Sequence, residues 1–173
     1  MTERHGAVTF KGDPMTLAGS GEVKVGEPAP DFELTANDMS KFKLSDHRGK
    51  VVIVATVPSL DTSVCNVMTK HFDEAARELS DDIVVLTVSG DLPFAQKRWC
   101  GENDAENVVT LSDYMSHSFQ DAWGLRIKEL GLVARSVTVV DRDGKVVYHE
   151  LVQEVAEEPD YEKALDAARQ AVG

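Results

Sequence analysis

The sequence predicts an α/β fold, a mixed central β-sheet flanked by helices. Three observations carry this. VVIVATV (51–57) and IVVLTVS (83–89) are continuous, largely β-branched runs. Such runs fit central strands covered on both faces. Between them, Val64, Val67, Met68, Phe72, Ala75, Ala76 and Leu79 recur at helical spacing over 63–79. A strand, helix, strand unit implies a parallel pair with a right-handed crossover.

The remaining elements follow in chain order. AVTFKGDPMTLAG reads as a hairpin turning at Gly12-Asp13-Pro14. KVGEPAPDFEL, with Pro28 and Pro30, is an extended approach, and KFKLSDHRGK a short strand and a turn. Asp61, Thr62 and Ser63 are all good N-cap types, so the helix after the first central strand starts close to Cys65. DLPFAQKRWC reads as a short helix with Pro93 in its first turn and Cys100 at its end. VVTLS is a third strand, and SHSFQDAWGL a short helix stopped by Gly124. VARSVTVVD and KVVYHELV are strands joined at Arg142-Asp143-Gly144, and PDYEKALDAARQAV closes the chain as an amphipathic helix. Only the N-terminal approach and residues 125–132 read as loops. A βαβ unit, an insertion, a hairpin and a last helix form the thioredoxin-like arrangement. Residues 1–173 read as one domain, with 1–19 as an N-terminal β-hairpin extension.

Bulk properties exclude several classes. A net charge of −12 argues against nucleic acid, since Lys97-Arg98 and similar pairs make no basic stripe. No segment approaches the roughly 18 apolar residues of a membrane span, and MTERHGAVTF has no apolar stretch of signal-peptide length. The expected compartment is the cytoplasm, where thiols stay reduced. Two cysteines, Cys65 and Cys100, are too few for a disulfide scaffold or a Cys-only zinc site. No metal or cofactor is expected: the five histidines show no ligand spacing and no Gly-rich phosphate loop is present.

The chemistry then rests on Cys65. The thiolate is the nucleophile, and free cysteine has a pKa of about 8.5. The first turn of a helix offers unpaired N–H groups and the positive end of the helix dipole. Pro58 ends the strand, removes a backbone N–H and shields the sulfur. The Thr62 hydroxyl can donate to the thiolate and accept from a substrate O–H. Such a pocket, completed by an arginine, suits a hydroperoxide held with its O–O bond in line with sulfur.

Pro-x-x-x-Thr-x-x-Cys at a strand exit, in a thioredoxin-like chain, resembles the peroxiredoxins. PSLDTSVC, SGDLPFAQKRWCG, LVARSVTVVD and VQEVAEEPDYEKAL together resemble their bacterial thiol peroxidase branch, an atypical two-cysteine group. The likeness runs over nearly the whole chain, hairpin included. It implies a thiol-dependent peroxidase acting on hydrogen peroxide and alkyl hydroperoxides, with an antioxidant role. Cys65 would be the peroxidatic cysteine, Cys100 the resolving one in an intramolecular disulfide, and Thr62, Pro58 and Arg135 the pocket residues. Thioredoxin would be the reductant and the homodimer the assembly. Ala55-Thr56 and Trp99 depart from the branch, where bulkier apolar residues and Phe are expected.

Other readings compete. Cys65 or Cys100 could be core thiols, and Arg135 a rim residue of an alternating strand; Arg98 and Arg126 read as solvated. His71 lies six residues after Cys65 on another helix face, so it reads as a surface or packing residue. Trp99 and Trp123 read as core anchors. Asp31, Glu33 and Asp61 have no fixed spacing for hydrolysis. The alternative function is a thioredoxin-like redox sensor or binding module that oxidises once. A general dithiol oxidoreductase lacks its Cys-x-x-Cys.

Overall fold

The structure, a computed structural model, describes residues 2–173. Eleven strands and four helices are assigned among them. The central sheet has seven strands in the order β11 (Val146–Leu151), β10 (Ser136–Val140), β5 (Val51–Thr56), β6 (Ile83–Ser89), β7 (Val109–Ser112), β3 (Glu33–Ala36) and β4 (Lys41–Lys43). β5, β6 and β7 run parallel; the other pairs are antiparallel, which makes the sheet mixed.

Every residue of β5 is buried, and its side chains alternate between two cores. Val51, Ile53 and Ala55 face a cluster with Met68 and Phe72 of α1 (Ser63–Ala76), Trp99 of α2 (Pro93–Glu102), and Ala164, Leu165 and Ala168 of α4 (Tyr161–Val172). Val52 and Val54 face the opposite cluster, with Phe32 and with Phe119 and Trp123 of α3 (Ser118–Trp123). Helices therefore cover both faces. Burial of this kind contributes roughly 1.5–3 kcal/mol per large apolar side chain, so the strand carrying the site loop is firmly held.

Helix ends follow their local chemistry. Pro93 occupies the first turn of α2. The Asp160 carboxylate accepts from the Lys163 N–H at the start of α4. Gly124 ends α3 with a φ of +66°, and a Cβ there would strike the Gly21 carbonyl.

A second sheet, β1-β2-β8-β9, joins the hairpin β1 (Thr2–Phe10) and β2 (Asp13–Gly19) to two short strands, β8 (Arg126–Ile127) and β9 (Leu132–Val133). Three expectations shift here. The hairpin turns at Lys11-Gly12, whose φ values are +51° and +85°, and Asp13 and Pro14 open β2. β8 pairs with β2 only at Leu17 and Ala18, so Pro14 needs no donor on that side. The stretch 125–132, expected as a loop, is loop only in part: Arg126, Ile127 and Leu132 pair as strand, while 128–131 form the turn between β8 and β9. VARSVTVVD is two strands in two sheets, and Ala134-Arg135 is the break between them.

Candidate active site

The loop from β5 to α1 carries Pro58, Thr62 and, one turn into the helix, Cys65. Thr62 is the N-cap of α1, and the first helical bond runs from the Asn66 N–H to its carbonyl, 3.0 Å. Cys65 therefore lies within the first turn, where backbone N–H groups lack intrahelical partners. Its side chain is fully buried, and its carbonyl accepts from the Thr69 hydroxyl at 2.8 Å. Pro58 is buried beside the end of β5.

Arg135 meets this turn from the break between β9 and β10. Its Nη2 donates to Cys65 Sγ at 3.1 Å, its Nη1 faces Met68 Sδ at 3.5 Å, and its Nε donates to the Val155 carbonyl at 2.8 Å. Only 2% of the residue is exposed. Among the described residues no carboxylate pairs with it. An unpaired buried cation is costly. Its side-chain neighbours are the sulfurs of Met68 and Cys65, and a guanidinium N–H aimed at the Cys65 sulfur is a charge-assisted donor to a thiolate there.

Neighbours that the sequence did not reveal hold Arg135 in place. The Thr56 hydroxyl at the end of β5 donates to the Ala134 carbonyl (2.7 Å) and pairs with the Ser136 hydroxyl (2.6 Å). It thus grips both residues flanking Arg135. Val155 is fixed in turn by β1: the Thr9 N–H donates to the Gln153 carbonyl (2.7 Å), and the Val155 N–H to the Thr9 carbonyl (2.8 Å). Tyr161 forms a nearby wall. It stacks on His71 at 3.7 Å, and burial with its hydrogen bond to Glu158 holds its hydroxyl well above the ordinary tyrosine range. His71 is thus a packing residue.

Thr62 does not reach the sulfur. Its hydroxyl is exposed and donates to the Ser59 carbonyl at 3.0 Å. That bond shapes the turn and leaves the hydroxyl oxygen facing outward. Cys100 stands apart as well, in the last turn of α2. Both thiols are free. Cys100 Sγ lies 3.4 Å from the Thr110 hydroxyl and 3.9 Å from Asn37 Nδ2, in an open groove of about 330 Å³. The two cysteine helices are tied by Trp99 Nε1 donating to Asn66 Oδ1 at 2.9 Å, one residue from each thiol. Of the rival arginines, Arg98 is exposed and pairs with Asp61 at 3.4 Å. Among the described residues no three His, Cys, Asp or Glu side chains gather into a metal site, and no helix is long and apolar enough to cross a membrane.

A thiol buried at a helix N-terminus against an unpaired arginine, on a sheet covered by helices, defines a thiol-based redox protein. The Redoxin family model matches residues 24–165. The chain is 52% identical to the thiol peroxidase of Bacillus subtilis (strain 168), over 95% of this chain and 98% of that protein. It is 51% identical to the thiol peroxidase of Halalkalibacterium halodurans, covering 96% and 99%. The crystal structure of a peroxiredoxin-like protein from Aquifex aeolicus superimposes with a TM-score of 0.89 at 36% identity, covering 97% of this chain and 99% of that one. The chain belongs to the Redoxin family, within its thiol peroxidase group. Its activity is that of a thiol-dependent peroxidase, an oxidoreductase of the peroxiredoxin type.

Proposed function

We propose that Cys65 is the attacking thiol and Cys100 the resolving one, acting on hydrogen peroxide and organic hydroperoxides. The observation that carries this is the 3.1 Å contact between buried Arg135 and Cys65 Sγ. The thiolate sulfur attacks one peroxide oxygen and the O–O bond breaks. The other oxygen leaves as alkoxide or hydroxide, takes a proton and departs as alcohol or water. Sulfur is oxidised to the sulfenic acid. Arg135 and the first-turn N–H groups stabilise the charge developing on the departing oxygen. Cys100 sulfur then attacks Cys65 sulfur, the S–S bond forms, and the sulfenic oxygen leaves as water. A dithiol protein of the thioredoxin type supplies two electrons by exchange and restores both thiols.

Thr62 forms the turn by donating to the Ser59 carbonyl, which leaves its hydroxyl oxygen free to accept from the peroxide O–H, and Pro58 walls the sulfur from water. A homodimer fits the exposure of Leu92 and Phe94, 53% and 66%, at the start of α2 beside the site loop. The place of action is the cytoplasm, where reductant keeps both thiols open, and the role is antioxidant.

The test is stopped-flow tryptophan fluorescence of the reduced protein with cumene hydroperoxide and with hydrogen peroxide. A first phase that scales with peroxide and vanishes in Cys65→Ser, and a second that vanishes in Cys100→Ser, are expected. Steady turnover with thioredoxin separates this enzyme from a sensor that oxidises once. Peroxide consumption by Cys65→Ser would overturn the assignment.

A further inference from the structure

We propose that Asp91 is a positioning residue for peroxide attack. Its carboxylate fixes Ser59 and Leu60 and, through them, the pocket in which Cys65 meets the peroxide. Asp91 lies between β6 and α2, half-buried, and takes no part in the chemistry above. Its Oδ1 accepts from the Ser59 hydroxyl at 2.7 Å, and its Oδ2 accepts from the Leu60 N–H and the Ser89 hydroxyl, both at 2.8 Å. Its own N–H donates to Ser89 Oγ at 3.3 Å, and its carbonyl accepts from the Ser112 hydroxyl. Among the described residues no cation pairs with this carboxylate. Its charge is met by neutral donors alone, and two of the three come from the site loop. Charge-assisted bonds of this kind are roughly twice as strong as neutral ones.

The geometry leads straight to the sulfur. The loop leaves β5 at Val57, whose N–H donates to the Val88 carbonyl at 3.0 Å, and it re-enters order at the Thr62 cap. Between those anchors Leu60 packs into the core, and the side-chain bonds that reach Ser59 and Leu60 from outside the loop come from the Asp91 carboxylate, at another strand end. The Ser59 carbonyl then receives both the N–H and the hydroxyl of Thr62, at 3.2 and 3.0 Å. Asp91 therefore sets Ser59, Ser59 sets Thr62, and Thr62 sets the turn bearing Cys65. Asp91 also stands directly before α2, so one carboxylate registers the loop of the attacking thiol against the helix of the resolving one.

The inference rests on Cys65 being the attacking thiol, and the experiment separates the two claims. Two rates are compared in the full-length reduced protein: attack on cumene hydroperoxide, which needs the shaped pocket, and alkylation of Cys65 by iodoacetamide, which needs only a thiolate and access. Asp91→Ala is expected to slow peroxide attack by about 10- to 100-fold, the scale of a misplaced reacting group. Alkylation stays equal or becomes faster, because Cys65 is fully buried until the loop opens. Asp91→Asn keeps one acceptor oxygen and the side-chain shape, and falls between Ala and the natural protein. If the Ala protein does not fold, Asn alone decides, with attack about 3- to 10-fold slower at unchanged alkylation as charged bonds become neutral ones. Natural peroxide rates in the folded variants, or equal slowing of both reactions, would overturn the role of Asp91. A Cys65→Ser protein that still reacted with peroxide would instead remove the reading beneath it.

Discussion

Arg135 is placed to do two things at once. Nε is spent on the Val155 carbonyl, so Nη2 can point only at Cys65. Lysine has one compact ammonium in place of the planar fork and cannot make both bonds in this geometry. Arg135→Lys is therefore expected to cut the peroxide rate constant by about 10²-fold, the scale of losing one preorganised donor. A Lys protein with natural stopped-flow rates would show that charge alone suffices. At this scale the sequence was legible where chemistry concentrates in a motif. Cys65, Pro58 and Thr62 stand in one short stretch, and Arg135 follows from the likeness of LVARSVTVVD to a known family. Thr56 and Asp91 were not legible. Each acts on residues roughly thirty to eighty positions away, and a Thr at a strand end or an Asp before a helix is locally ordinary. The Thr62 hydroxyl was misplaced for a related reason: the cap type predicts where a helix starts, not which oxygen its side chain seeks.

At the scale of elements, α1 and α2 face a conflict. A disulfide needs Cα atoms roughly 4.4–6.8 Å apart. Here both thiols are free, Cys65 at the head of one helix and Cys100 in the last turn of another. The Trp99–Asn66 hydrogen bond ties those two turns together as they stand. Formation of the proposed disulfide would open these turns and break that bond. Asn66→Ala is expected to lower amide-exchange protection in both turns and to quicken the second fluorescence phase by roughly three- to tenfold, as one net hydrogen bond of about 1 kcal/mol is lost. Unchanged protection would mean that the bond does not restrain opening. The strands β5 and β6 and the helix between them were legible, because buried runs and helical spacing are strong signals. The small sheet was not. Its strands β8 and β9 are two residues each, β8 lying against β2 and β9 against β8. The hairpin's turn was displaced because Asp-Pro resembles a turn, whereas Lys11-Gly12 supplies the two positive φ values.

For the whole molecule, acid sensitivity has an identifiable source in the outer layer. His149 on β11 is held to about 4, below its ordinary 6.5, first by burial and then by the charge of Arg4; its Nδ1 lies 2.8 Å from the Thr138 hydroxyl. Between those two values the unfolded chain binds the proton and the folded one does not, so stability rises with pH. The contribution is complete above 6.5 and declines as pH falls toward 4. Melting temperatures of the natural protein and His149→Gln, taken from about pH 7 down to about pH 4.5, are expected to converge on acidification, the Gln protein losing less. Parallel curves would exclude His149 as the source.

The tie from β1 to Val155 also bears on how the molecule is handled. Residues 153–155 grip Arg135 on one side and the hairpin on the other. Cargo fused before Thr2 would hang from a strand that braces the pocket without touching it. The far end is quieter: α4 finishes at Val172, where Arg142 bonds its carbonyl at 3.2 Å at the opposite end of the β10–β11 pair. A purification handle or a surface tether belongs after Gly173, because a pull applied there is taken up by α4 and Arg142 before it reaches the residues that aim the arginine.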